Sequence, residues 1–524
     1  MRAVACFFAL TTLLSAWQPP AGAIGSDGHP PAGTGCATDG FVVNAVTGEP
    51  VPRARVAASG PGGAPSVVTS DNSGRWRFPG LACGPIQIFA NRPGFLNEPK
   101  VVPAILASGS PMHDVAVRLT PASVIAGKVV DDQGDPVMNA QMILLASRVT
   151  DGRRSFAVTG TAGGTSATND LGEFRFAGLS AGKYIVCAEA DTRGGGDSIM
   201  FGESCYPGPF ESAAASTLDL PAGGETRLNI TVHEATPVHV RGVMTGMPKA
   251  QGVALTINRR NVTVPGAARP AKVGPDGKFD VAGVSPGSWV LSTDYFEAGA
   301  RLHARVPVEV GIADVNDVAV HLDSGFTVAG KVRIESKSSG ALTLKVVVAL
   351  RSSEPMSGGG STQWNSDHSA FTIADLTPGN YRLEVTVGGK FFVKSATLAG
   401  RDITGQEIPL AESSGSLDIV LSDDGGALDV SVTGADDRPA PGSGVIVLRN
   451  GSQPRTAIAG PDGHAILLGL APGDYQAYAW DDIRQVEFAN PDWMKRNGAS
   501  SALVSVRAGQ FPQVTLKQQL VPAQ

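Results

Sequence analysis

The chain of 524 residues carries 42 Lys and Arg against 48 Asp and Glu, a net charge of −6, with 42% hydrophobic and 17% charged residues. At ~100–200 residues per domain this length implies several domains, each with enough apolar residues for a core. No long basic run is present, which excludes nucleic acid as the expected partner; 65 glycines and 37 prolines suit many short strands joined by tight turns.

The N-terminus, MRAVACFFALTTLLSAWQPPAGAIG, places Arg2 before an apolar run from Ala3 to Leu14, with Ala21 and Ala23 at −3 and −1 of a cut before Ile24. This order predicts a secretory signal peptide over residues 1–23 and export to the periplasm, the cell surface or the extracellular space. The run is shorter than the ~20 residues of a membrane-spanning helix, and no later segment is apolar enough to span a bilayer. The four later cysteines are an even number in an exported chain, which favours pairing. Cys36 with Cys83 and Cys187 with Cys205 keeps each bond within one repeat; the alternative is four free buried thiols. No CxxC or HxxH spacing surrounds them, so zinc is not expected.

A cassette recurs along the chain: DNSGRWRFPGLACGPIQI at 71–88, NDLGEFRFAGLSAGKYIV at 169–186, GPDGKFDVAGVSPGSWVL at 274–291, SDHSAFTIADLTPGNYRL at 366–383 and GPDGHAILLGLAPGDYQA at 460–477. Its first positions are Gly74, Gly172, Gly277, Ser369 and Gly463, and in every copy the next two follow at steps of six and four. Starts 98, 105, 92 and 94 residues apart mark tandem modules. Asp or Asn followed by Gly is turn chemistry. Alternation turns Trp76 and Phe78, Phe174 and Phe176, and Phe279 and Val281 to one side. A second turn, such as GLSAG or GVSPG, leads into a strand opening with Ile86, Tyr184, Trp289, Tyr381 or Tyr475. The cassette reads as a β-hairpin with an inward apolar side.

A strand pair precedes each cassette, as in GKVVDDQGDPVMNAQMILL at 127–145, and a last strand follows, as in TRLNITV at 226–232. Modules of ~90–100 residues with six or seven short strands read as β-sandwiches. The expected boundaries are 34–120, 121–235, 236–322, 323–422 and 423–519. Linkers of a few residues predict a stiff rod of successive modules. Beyond the signal, helix is expected only as one turn in FANPDWMKRN at 488–497.

The pattern GKVVDDQGDPVMNA at 127–140, followed by DLGEFRFAGLSAGKY, resembles the carboxypeptidase regulatory-like domain, a transthyretin-like β-sandwich. The likeness is greatest at 121–235 and good at 34–120, with VVNAVTGEPVPRARV at 42–56. The cassette at 366–383 has Ser369 and Asp375 where the pattern has glycine. The resemblance implies an all-β chain of about five transthyretin-like modules, a fold also similar to starch-binding domains. It implies a scaffold and carries no activity with it.

Catalytic and metal motifs are missing. In HEATPVH at 233–239 the place HExxH reserves for its second His is Pro237. No G-x-S-x-G elbow or P-loop occurs, and DTRGGGD at 191–197 lacks what a phosphate cradle needs. DDQGD at 131–135 and WDDIRQ at 480–485 lack EF-hand spacing and read as polar turns. Lys128 and Asn229 lack the Glu placement of isopeptide-crosslinked domains. No cofactor or catalytic residue is expected. Recognition falls instead to the variable loops after the cassettes. If Tyr475 points inward, Tyr478 and Trp480 point outward in register and are candidates for stacking on sugar rings, unless a neighbouring loop covers them. Trp364, Trp493 and Tyr206 are further candidates, each with local packing as its alternative. The expected role is binding or structural, with a glycan or an envelope protein as partner. The alternatives are an accessory subunit of an envelope transport or peptidase system, and an unrecognised hydrolase.

Overall fold

Alternation in the cassette strands fixes which side chains turn inward, and two β layers per repeat, joined into one sheet in the third, close over them. The structure, a computed structural model, describes residues 36–60, 65–96, 102–107, 110–159, 165–191, 200–208, 216–236, 238–247, 253–260, 269–297, 300–337, 344–352, 359–366, 370–412 and 414–521. The signal stretch 1–23, Ser369 and residues 192–197 of the DTRGGGD loop lie outside them. Among the described residues strand dominates, at 64% against 2% helix. The chain divides into two compact units, one ending at Leu119 and the other beginning at Thr120, with the short stretch from Pro93 counted in the second.

One topology recurs five times. The opening strands are Cys36–Asn44, Ser123–Val130, Val238–Thr245, Phe326–Glu335 and Gly426–Thr433. Each lies between the first cassette strand, antiparallel to it, and the closing strand of its repeat, parallel to it. The second cassette strand pairs elsewhere, with Arg55–Ser59, Gln141–Thr150, Leu255–Arg259, Lys345–Ser352 or Gly444–Leu448.

The cassette is therefore not a hairpin. Its two strands never pair with each other: in four repeats they belong to separate sheets, and in the third the strand Arg269–Val273 pairs with both layers and joins them into one seven-stranded sheet, so the glycine-rich turn between them is an arch. A hairpin would set both apolar rows side by side on one sheet. The arch instead places Phe176 opposite the sheet that carries Tyr184, and both are buried in one cluster with Ile125, Leu144 and Ile230. Equivalent clusters form around Phe279 and Trp289, around Phe371 and Tyr381, and around Leu467 and Tyr475.

Three local devices repeat. Gly74, Gly172, Gly277 and Gly463 have φ of 73°, 68°, 79° and 77°, and a Cβ there would run into the carbonyl oxygen of Val42, Val129, Met244 or Val432. The N–H of that same opening-strand residue donates to the glycine carbonyl, tying the cassette turn to the strand. At the arch, the hydroxyls of Tyr184, Tyr381 and Tyr475 donate to the carbonyls of Ser180, Thr377 and Ala471 at 2.8 Å, and the Trp289 indole donates to that of Ser285 at 2.9 Å. Ile86 has no such donor; in that repeat the arch residue Cys83 is bonded to Cys36 on the opening strand. Asp375, standing where the cassette has glycine, keeps a left-handed φ of 57°, which Asp tolerates better than most residues.

The third device is a matched pair across strands. Gly40 faces Trp76, Gly127 faces Phe174, Gly242 faces Phe279 and Gly330 faces Phe371. At Gly330 a Cβ would meet the Phe371 ring first; at Gly40, Gly127 and Gly242 it would first meet the closing-strand carbonyl oxygen of Val115, Leu228 or Val318, with the ring next. In the fifth repeat the same register position holds Val430 opposite Ala465.

Within the second unit, contacts also join non-successive repeats, which departs from the expected rod. Arg154, from the second repeat, pairs with Glu487 of the fifth at 2.5 Å, and the Ala489 N–H donates to the Gly152 carbonyl at 3.0 Å. Successive repeats two and three meet around Arg259. Its guanidinium lies 4.2 Å from the centre of the Trp289 ring and 3.5 Å from Glu203, while Glu189 accepts from Ser285 at 3.2 Å. Repeats two and five, which are not neighbours along the chain, are thus in contact within the second unit.

Candidate ligand-binding cleft

The sequence-derived aromatic candidates lie on the strand Gly473–Trp480 and the segment after it. Tyr475, Ala477 and Ala479 turn inward, and Tyr478 and Trp480 turn to the other face of the sheet. That face is covered. Tyr478 is 5% and Trp480 1% exposed, beneath Val486, Trp493 and Met494. Trp493 sits on a helix, Pro491–Asn497, longer than the single expected turn; Asn490 caps it by accepting from the Trp493 N–H, and the Gly498 N–H closes it on Met494. The Trp480 and Trp493 rings pack with centroids 5.4 Å apart, tilted by 52°. Tyr478 and Trp480 thus form a small second core and no open stacking platform. The residues that bury them follow later in the chain, which strand parity does not report.

The remaining candidates are scattered. Tyr206 is exposed, one residue beyond Cys205, which is bonded to Cys187. Trp364 faces the core of the fourth repeat. His233 pairs with Asp132 and His239 with Asp280, so the two histidines of HEATPVH go to different carboxylates. Asp131 accepts from the N–H groups of Gln133 and Asp135, and Asp482 caps a short 3-10 turn and binds Arg484, so both acidic runs serve local turns. Lys128 lies beside Asn229 and pairs with Glu173. Among the described residues no group of three His, Cys, Asp or Glu is placed to hold a metal ion, and no helix is long and apolar enough to cross a membrane.

A recess with ≈ 80 Å³ of enclosed space opens between the fourth and fifth repeats; the space reaches ≈ 680 Å³ only when the open solvent at its mouth is counted. One wall is the inward row Leu383, Val385 and Val387 of the strand Gly379–Val387; the other is Phe392, Val393 and Ala396 of the strand Phe392–Leu398, which belongs to the opposite sheet. The fourth sandwich is thus splayed along one side, and its own core residues line the gap. The fifth repeat closes the mouth with Ser452, Gln453 and Arg455 and with its arch, Gly469 to Ala471. Gln453 anchors this cover by donating to the Leu383 carbonyl at 2.6 Å. Gly469, at φ 63°, lets the arch approach, since a Cβ there would collide with the Phe391 carbonyl.

The polar groups of the cleft are few. Thr404 Oγ1 accepts from the Ala396 N–H at 3.2 Å. Among the described residues of the lining Arg455 is the single charged one, and it gives one N–H to the Leu468 carbonyl at 3.0 Å. Arg449 stands 5.9 Å from the centre of the Tyr475 ring. Burial pushes the Tyr475 hydroxyl above its ordinary pKa, against the pull of the Arg449 and Arg455 charges. Sequence reasoning missed this site because its walls read as ordinary strand cores. The one visible signal was a cassette glycine, Gly469, which serves a close approach between repeats as well as its turn.

Comparison with known proteins bears on one of the repeats. Residues 38–120 match the carboxypeptidase regulatory-like domain. No curated protein matches the chain. Among solved structures it is similar to a major pilin subunit of Bacillus cereus, at 11% identity over 55% of this chain and 99% of that one, with a TM-score of 0.18. A minor pilin of Streptococcus agalactiae gives 15%, 41%, 99% and 0.21, and the pilus protein RrgB of Streptococcus pneumoniae gives 9%, 77%, 99% and 0.16.

Proposed function

We propose that this chain is an exported, non-catalytic scaffold of five β-sandwich modules, bounded at 34–120, 121–235, 236–322, 323–422 and 423–519, which binds a ligand in the cleft between the last two. The observation that carries the binding role is the cleft itself, an apolar recess at a junction of repeats, where ligand sites concentrate. Export is supported by the signal pattern and by two disulfides, which persist in oxidising compartments. A scaffold role is supported by the described carboxylates and histidines, which close turns and ion pairs and converge on no reaction centre.

The test uses the purified mature protein and a neutral apolar dye, Nile red. Saturable binding of one dye per chain is expected. Val385→Trp and Ser452→Trp, at the wall and the rim, should each abolish it, and Leu503→Ser, at an exposed leucine elsewhere, should leave it unchanged. Binding indifferent to both tryptophans would remove the cleft from the reading. Turnover of peptide, ester or glycoside substrates above the blank would remove its non-catalytic half.

A further inference from the structure

Resting on that binding reading, we propose that the cleft selects an amphiphile with an apolar body and an anionic head, of which a medium-chain alkyl carboxylate is the simplest form. The body is set by the walls. Leu383, Val385, Val387 and Val393 offer no hydrogen-bonding side chain, so a sugar or a polar peptide would lose its water there without replacement.

The head is set by the end where Tyr475 lies. Arg455 brings the only charge among the described lining residues, and Arg449, behind the lining, stands 5.9 Å from the centre of the Tyr475 ring. A guanidinium carries five N–H donors, and the structure shows one of those of Arg455 spent on the Leu468 carbonyl. Thr404 Oγ1 already accepts from the Ala396 N–H, so its proton is what it offers to a ligand. Gln453 directs its amide nitrogen away, to the Leu383 carbonyl. The described lining therefore holds a positive charge and hydroxyl donors, with no carboxylate among its residues. An anionic head supplies acceptors and a counter-charge together. A neutral hydroxyl head supplies a donor and acceptors without the counter-charge, and a cationic head is repelled.

Displacement of bound Nile red by decanoate, decanol and decyltrimethylammonium tests this. Decanoate is expected to displace the dye at about tenfold lower concentration than decanol, the ratio a charge-assisted hydrogen bond gives in a partly desolvated site, and the cation is expected to be weakest. Arg455→Met keeps the apolar stem. It should still bind Nile red, with decanoate and decanol drawn nearly level. Equal displacement by decanoate and decanol in the unmodified protein, or a decanoate preference that survives Arg455→Met combined with Arg449→Met, overturns the anionic head and leaves the cleft standing. Absence of saturable dye binding overturns both.

Discussion

At the scale of single residues, the five repeats perform a substitution experiment on themselves. Four place glycine opposite an aromatic ring, and the fifth places Val430 opposite Ala465. Both solutions fill the same space, since buried side chains pack at near-crystal density. Val430→Gly, at a fully buried site, should cost roughly 2–4 kcal/mol through the cavity and the freed backbone. Ala465→Phe should cost about 1–3 kcal/mol by overpacking. The double change recreates the arrangement of the other four repeats, and its cost should fall below the sum of the two by about 0.5–3 kcal/mol. Hydrogen exchange of the amides in Gly426–Thr433 reads the opening free energy, and strictly additive values would dismiss the pairing. The inward direction of Phe174 and Phe279 was legible from alternation along their own strand. The glycine facing each ring was not, because cross-strand register is set by closure of the sheet.

At the scale of elements, the distance between what sequence reports and what the chain does is clearest in the cassette. Period-2 alternation names the buried face of a strand and says nothing of which neighbour it bonds to. Two inward-facing strands joined by a short turn satisfy the pattern as a hairpin or as an arch, and only the partners Gly127 and Leu145, on different sheets, decide between them. The cover over Tyr478 and Trp480 was hidden for a similar reason. Asp423, just after the strand Leu417–Ser422, shows an element junction held by charge. Its side chain, 2% exposed, accepts from Lys390 at 2.8 Å, Ser336 at 2.7 Å and the Lys337 N–H at 3.1 Å, so it ties the end of the opening strand to the turn beside the cleft. The Lys390 contact, then the Ser336 hydroxyl, hold this carboxyl well below the usual carboxylate range. A carboxyl depressed in the folded state stabilises it fully above the unfolded value of ~3.9, and that contribution is lost as pH falls from there through the folded value. Opening free energies from exchange in Phe326–Glu335 should therefore fall more steeply below about pH 4 in the unmodified protein than in Asp423→Asn. Parallel profiles for the two would show that the carboxylate contributes nothing there.

At the scale of the molecule, the question within the second unit is what holds non-neighbouring repeats together. The Arg154 and Glu487 side chains are 13% and 4% exposed, and Glu487 also accepts from the Asn490 side chain, one residue before the helix that covers Trp480. Two buried charges that satisfy each other are worth little net, yet either one alone is costly. Arg154→Met should therefore destabilise the contact by about 3–5 kcal/mol, as should Glu487→Met, while the two together should cost far less, because no charge is left unpaired. The covering segment is tied together by Asn490, which bonds both Glu487 and Trp493, and joined to the second repeat through Glu487, so loss of one charge should also loosen it over the indoles. A red shift of tryptophan emission in each single variant, reversed in the double, is the expected signature. Were the singles silent in both exchange and fluorescence, the contact would be a passive touch between surfaces, and the repeats would be free to separate into the rod that their short linkers suggest.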